Sequence, residues 1–259
     1  MINDALDVPN HKVWKYVDDL TICENRAYGE ASTVQDSLDS LSTWADENKL
    51  RLNPAKCQAL QVYFGRREVP EVDLHISNHQ LAVVDKVKLL GAMIQDDLKW
   101  DSQVDSMCTK ANRKMFMMRK LKEAGFSPSE LLTVYKGYMR PVLEYAAPLW
   151  HAGLTQSQVN QVENIQKRVC KHIQGREYIS YSKSLADLEL DPLCNRREKI
   201  CRDFATKTTT SERFSTWFPP AEYRSVMTLR NMRKYKNFKC KTKRFQDSPM
   251  PYMADLLNK

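Results

Sequence analysis

Residues 12–23 read Lys12-Val13-Trp14-Lys15-Tyr16-Val17-Asp18-Asp19-Leu20-Thr21-Ile22-Cys23. Val13 to Val17 and Leu20 to Cys23 are rich in β-branched and aromatic residues, and only Asp18 and Asp19 separate them. That is the spacing of two antiparallel strands joined by a two-residue loop. Adjacent carboxylates on a tight turn repel each other, and a divalent cation relieves the repulsion. Mg²⁺ favours one or two carboxylates with waters and substrate phosphates, so the pair suits phosphoryl transfer in an open cleft. Asp is also a good turn residue in water, and taken alone the dipeptide favours that reading, since Asp-rich turns are far commoner than metal sites.

Beyond the hairpin, Ser32 with Gln35 three residues later forms a capping-box signature, and Val34, Leu38, Leu41 and Ala45 recur at helical spacing up to about Leu50. Asn53-Pro54 ends that helix. Leu60, Val62 and Phe64 alternate up to Gly65, and Leu74 to Ile76 and Val87 to Ile94 are further strand candidates. From Asp101 the period becomes 3.6: Val104, Cys108, Ala111, Met115, Met118 and Leu121 share one face. Gly125 suits a helix end, and Ser127-Pro128 with Glu130 restarts a helix whose stripe is Leu131, Tyr135 and Tyr138. A helix over Val142 to Trp150 follows. Another opens at Thr155 with Gln158 and runs through Val162, Ile165, Val169 and Ile173 to Gly175. Thr206 to Ser211 reads as a polar linker, and beyond it apolar residues are scattered. The expected architecture is α+β: a strand-rich segment over 1–100, a helical bundle over 101–203 and a basic, partly disordered tail over 204–259.

The chain has 259 residues, 42% hydrophobic and 28% charged, enough to bury a core. Its seven glycines do not fit a chain dominated by phosphate-cradling loops. No apolar run reaches the ~20 residues of a membrane span. Residues 1–10 lack the basic and apolar regions of a secretion signal, so an intracellular location, nuclear or cytoplasmic, is expected, with the seven cysteines reduced. The net charge of +8 is unevenly spread. Residues 1–100 carry 11 Lys/Arg against 16 Asp/Glu, residues 101–204 carry 17 against 12, and residues 205–259 carry 12 against 4. Arg224 to Arg244 holds nine basic residues and no acid, interleaved with Tyr235 and Phe238. Bases without acids, beside aromatics able to stack, suit nucleic-acid contact, while a solubilising flank has the same composition.

Several motifs carry no site. His75 and His79 lie in strand and turn, where a four-residue spacing does not make a metal pair. Cys194, Cys201 and Cys240 lack the spacing of a zinc knuckle, and Met115, Met117 and Met118 fit core filling.

Tyr16-Val17-Asp18-Asp19, within Lys15 to Ile22, resembles the catalytic box of the reverse transcriptases of non-LTR (LINE-type, jockey-like) retrotransposons. Other segments resemble that family in the same order. Ile2-Asn3-Asp4 is similar to the stretch preceding the box, and Trp44 to Lys56, with Asn48, Leu52 and Asn53, to the helix-turn-strand after it. Lys88-Leu89-Leu90-Gly91 with Trp100 downstream resembles the primer-grip hairpin. Tyr135 to Trp150, with Arg140-Pro141 and Glu144-Tyr145, resembles the thumb. The resemblance covers roughly residues 2 to 200 and is less specific beyond Phe204.

It implies a distal palm over 1–100, a thumb over 101–203, and RNA-directed DNA polymerisation by two-metal, in-line attack of a primer 3′-hydroxyl on a nucleotide α-phosphorus. Asp18 would be a shared Mg²⁺ (or Mn²⁺) ligand and Asp19 its less strictly coordinating neighbour. Tyr16 would lie beneath the primer terminus, and Lys56 near the pyrophosphate as a general acid, although it reads equally as a solvated lysine beside a turn. Lys88, Leu90 and Gly91 would approach the primer; Gly91 would allow close backbone approach or mark a bulge. Arg230, Arg233, Lys234, Lys236, Lys239, Lys241, Lys243 and Arg244 would contact phosphates of an RNA template and DNA primer, as an RNA–DNA hybrid. The family also needs an aspartate on a separate upstream strand and a fingers region, and only 17 residues precede Asp18. Asp4 and Asp7 match by residue type only. The expectation is a polymerase fragment, inactive alone, that binds metal and deoxynucleotide only when completed. The alternative is a non-catalytic nucleic-acid-binding remnant that uses the thumb and tail.

Overall fold

The computed structural model describes residues 11–65, 67, 69–70, 72–221 and 234–259. The fold is mixed α+β, and it divides into two compact units between Leu98 and Lys99.

The amino-terminal unit is built from short strand pairs around one helix. β1 (Lys12–Tyr16) pairs antiparallel with β2 (Asp19–Cys23), in the register Lys12↔Cys23 to Tyr16↔Asp19. The two loop residues are therefore Val17 and Asp18; Asp19 belongs to β2, one place on from the Asp18-Asp19 loop that the sequence suggests. α1 (Val34–Glu47) buries Leu38, Leu41 and Ala45. Leu38 packs with Leu74, Ile76 and Leu81, while Leu41 packs with Leu20, Ile22, Trp44 and Leu52.

The Ser32/Gln35 capping box does not form. The N-cap is Thr33, without a side-chain cap bond. The Ser32 hydroxyl donates to Glu24, as do the backbone N–H and hydroxyl of Thr33. The Gln35 amide donates to the carbonyl of His75 and accepts from its N–H. A carboxylate is a stronger acceptor than the Gln35 amide, so Glu24 takes the helix start and frees Gln35 to fasten β4 (His75–Ile76). His11 completes the cluster through Thr33 (2.9 Å) and Ser37 (2.7 Å).

β3 (Gln58–Ala59) pairs parallel with β6 (Ala82–Val83), and β4 pairs antiparallel with β5 (His79–Gln80). The strand expected through Leu60, Val62 and Phe64 does not form: β3 ends at Ala59, its partner ends at Val83, and Val62 and Phe64 are exposed. Val87 to Ile94 is a hairpin, β7 (Lys86–Leu89) and β8 (Ala92–Gln95), with Leu90-Gly91 as its loop.

The second unit is helical: α2 (Asp101–Glu123), α3 (Pro128–Val134), α4 (Arg140–Glu144), α5 (Ala147–Trp150), α6 (Gln156–Gln174), α7 (Tyr181–Asp187), α8 (Leu193–Thr210), α9 (Lys243–Gln246) and α10 (Pro249–Leu257). The capping boxes Ser127/Glu130 and Thr155/Gln158 are both formed. Between α3 and α4 the chain makes a π turn over Tyr135–Met139. The wider turn carries the buried face through Leu131, Tyr135, Met139 and Leu143, so the expected core residue Tyr138 is exposed and Met139 replaces it. The helix expected over Val142 to Trp150 breaks at Tyr145-Ala146, with Ala146 at φ 53°. Pro148 forces the break: in a continuous helix its ring would meet the carbonyl of Glu144.

Among the described residues, the chain past 203 is not a separate tail. α8 continues through the expected linker to Thr210, and its Cys201 and Ala205 pack with Phe218, Met253, Ala254 and Leu256. The described apolar residues beyond the linker look scattered because they meet α8 and one another across gaps in sequence that leave no period.

Polar side chains thread the core. The Tyr135 hydroxyl donates to Gln166 Oε1, and Gln166 Nε2 donates to the Tyr181 hydroxyl and the Asp191 carbonyl, both at 2.9 Å. Tyr181 donates in turn to Glu163 Oε1, which also accepts the first N–H of α8, from Leu193, at 3.1 Å.

These contacts set two expected outcomes. Tyr135→Phe leaves Gln166 Oε1 buried without its donor, and is expected to cost about 1–3 kcal/mol in urea unfolding. Burial would raise the pKa of Glu24, but the hydrogen bonds from Thr33, Ser32 and His11 outweigh it and hold the group at about 2. A depressed carboxyl contributes stability that is complete above its unfolded pKa, about 4.5, and lost as pH falls through about 2. The urea midpoint of the native chain should therefore fall over that window more steeply than that of Glu24→Gln.

Candidate active-site hairpin and basic surfaces

Side chains of the β1–β2 hairpin alternate between two faces. Leu20 and Ile22 point into the core against Leu41, Trp44 and Leu52. Trp14 and Tyr16 lie on the other face, 53% and 64% exposed, with Thr21 and Asp19 opposite them. Directly opposed residues have Cβ atoms about 4.5–5.5 Å apart, so Asp19 stands directly across from Tyr16 on that face. Asp18 sits on the loop, and both carboxylates are exposed. The two acids thus come from different positions, one at the tip and one on the open face.

Val17 has φ 54° and is 76% exposed. A positive φ at the first loop residue is ordinarily the place of glycine in a II′ turn, and a β-branched residue there is strained by about 1–2 kcal/mol. No packing of the Val17 side chain offsets that strain, which makes the loop a functional candidate rather than a stability element.

Lys56 ends a short 3₁₀ turn, Pro54–Lys56, and is exposed. Among the described residues no ion pair or hydrogen bond joins it to Asp18 or Asp19. In the second hairpin Lys88 is exposed on β7, and Leu90 and Gly91 form the loop with φ 46° and 88°. Gly91 thus serves a turn that needs two positive φ values; it is neither a bulge nor part of a strand. Among the described residues no group of three or more His, Cys, Asp or Glu gathers to hold a metal ion. The two aspartates need a further ligand for two-metal chemistry. Ile2-Asn3-Asp4 and Asp7 lie outside the described residues.

Arg224, Arg230 and Arg233 also lie outside them. Lys234, Lys236, Lys239, Lys241, Lys243 and Arg244 are all exposed, whereas Tyr235 and Phe238 pack on the α8–α10 core. Tyr235 and Phe238 are half-buried against that core and anchor the segment, while its lysines face outward. Asn258 pins it, accepting from the Tyr235 N–H and donating to the Tyr235 carbonyl. Lys243 is drawn to Asp247 at 2.9 Å.

A second basic surface is not apparent from the sequence. α2 and α6 run side by side in the same direction, joined by Gln158–Asp101, Gln161–Asp105 and Arg168–Asn112 hydrogen bonds. Residues 106–122 hold six Lys/Arg and no acid, and residues 164–176 hold four and no acid. Arg113, Arg119, Lys120, Arg168 and Lys171 are exposed, as is Phe116. The signal is present as two acid-free runs, but only the helix pairing shows that they adjoin. A recess of about 590 Å³ in the same unit, lined by Pro128, Arg176, Glu177, Ile179 and Lys183 among others, is open and mixed in charge, and brings no catalytic grouping together.

No helix among the described residues is long and apolar enough to cross a membrane. Comparison of the chain with protein-family models, with curated proteins and with solved structures returned no match.

Replacing the strained loop residue tests its role. Val17→Gly should raise the free energy of unfolding by on the order of 1 kcal/mol, because glycine adopts a positive φ at little cost. Val17→Ile should leave it unchanged.

Proposed function

We propose that this chain is the palm-and-thumb portion of a reverse transcriptase of the non-LTR retrotransposon type, and that it catalyses nucleotidyl transfer only when a further aspartate-bearing strand is supplied. The observation that carries this reading is the β1–β2 hairpin: a strained, solvent-facing tip that presents Asp18, with Asp19 beside Tyr16 on the open face. Two exposed carboxylates at adjacent positions suit Mg²⁺ or Mn²⁺ that also binds phosphate oxygens. In the completed site, one ion would lower the pKa of the primer hydroxyl and the other would neutralise pyrophosphate. Lys88 and the Leu90-Gly91 loop would border the primer, and Lys56 would serve the leaving group.

A second reading, non-catalytic binding of nucleic acid, is favoured by the exposed lysines of 234–244 and the paired basic runs of α2 and α6. Cations without interleaved acids bind a phosphate backbone by releasing its counterions.

Primer extension separates the two. The chain alone, given an RNA template, a DNA primer, Mg²⁺ and deoxynucleotides, is expected to add nothing. Fused to the fingers and upstream palm of a non-LTR reverse transcriptase, it should extend the primer, and Asp18→Asn should return extension to background. Equal extension by the Asp18→Asn fusion sinks the catalytic reading. In salt titrations with the same hybrid, changing Lys236, Lys239 and Lys241 to Gln should reduce the log–log slope by about 0.9 for each phosphate that is no longer neutralised.

A further inference from the structure

The only buried side-chain oxygen and nitrogen atoms without a hydrogen-bond partner among the described residues are Glu163 Oε2 and the two amino nitrogens of Arg197. Glu163 lies on α6 and Arg197 on α8, and the two helices pack together. Arg197 is wholly buried, its guanidinium 5.6 Å from the Trp150 ring centre and its Nε 3.4 Å from His151 Nδ1. Burial, and then the Arg197 charge, holds the His151 pKa at about 4, so at neutral pH His151 is uncharged and its Nδ1 can accept from Nε. Arginine stays ionised even in such surroundings, and its two remaining amino groups are left needing an acceptor.

The backbone says where that acceptor lies. Glu163 Oε1 accepts the N–H of Leu193 at the first turn of α8, and Arg197 is four residues further along the same helix. Residues four apart lie about 5–6 Å from each other on one face. The Glu163 carboxylate is thus held one turn from Arg197 along α8, and the charges of Glu163 and Arg197 act on each other.

We infer that a single ordered water molecule binds between Glu163 and Arg197, accepting from Nη1 and Nη2 and donating to Oε2. One molecule can engage all three unpaired atoms, the two nitrogens and the one oxygen. A water with two lone pairs and two hydrogens can accept one N–H from each amino nitrogen and donate to Oε2, the roughly three hydrogen bonds of a typical buried water. An anion does not fit, because the carboxylate oxygen would face it. An apolar void does not fit either, since the lining atoms are charged. The bridged pair extends the chain from Tyr135 through Gln166, Tyr181 and Glu163 to Arg197, and it ties α8 to α6 at their crossing.

A high-resolution crystal structure of the full chain tests the site directly. The expected result is a solvent oxygen about 2.7–3.2 Å from Glu163 Oε2 and both Arg197 amino nitrogens. A direct Glu163–Arg197 contact with no intervening oxygen overturns the proposal, and so does density for a heavier anion such as chloride. In solution, oxygen-17 relaxation dispersion counts slowly exchanging internal waters. Glu163→Gln places a donor where the water must donate, and Arg197→Met removes both donors. Each should lower the count by one, and an unchanged count in the folded variants overturns the inference. Should either variant fail to fold, the crystal structure of the native chain still decides.

Discussion

A polar group closed off from water must find a partner, and both units of this protein are arranged around that requirement. In the helical unit, Gln166 is wholly buried and reaches three elements at once: Tyr135 in the π turn, Tyr181 in α7 and the Asp191 carbonyl before α8. Glu163, one turn earlier on α6, receives Tyr181 and the start of α8. Apolar packing drives these helices together, but it is non-directional and tolerates sliding. The hydrogen-bonded chain fixes their register, because a slip of any helix would strand a buried donor or acceptor. In the amino-terminal unit Glu24 and Gln35 do the same, holding the start of α1 to β2 and to β4.

With each unit held in this way, the surface can carry features that contribute nothing to stability. Val17 keeps a positive φ while its side chain is in water, and the hairpin exposes Trp14 and Tyr16 beside Asp19. A hairpin of two strands is marginal by itself. It tolerates the strained tip because Leu20 and Ile22 are anchored against α1. The charge is segregated along similar lines. The unit with the aspartates is acidic, and the cations gather on α2, α6 and the segment before α10, where Tyr235 and Phe238 pack on the core and the lysines face outward.

Much of this pattern is legible in the residues. The change of period near Asp101 marks the division between a strand-rich and a helical unit, and the β1–β2 hairpin is visible with its loop one residue out of place. Ser127-Pro128-Ser129-Glu130 and Thr155 with Gln158 form the caps their spacing implies. These features depend on residues within four positions of one another, so local propensity decides them. The same logic misreads Ser32 and Gln35, which have the right spacing for a box but find better partners in Glu24 and His75.

The order of side chains and their short-range geometry were enough to give the α+β class, the place of the aspartate hairpin and the separation of acid from base along the chain. Three other features had to wait for the folded molecule: the burial of Met139 in place of Tyr138, the docking of residues 234–259 onto α8, and the meeting of the acid-free runs of α2 and α6. They share one cause. Each depends on contacts between residues far apart in sequence, whose free energy outweighs local preference but leaves no periodic trace in the residues that make them.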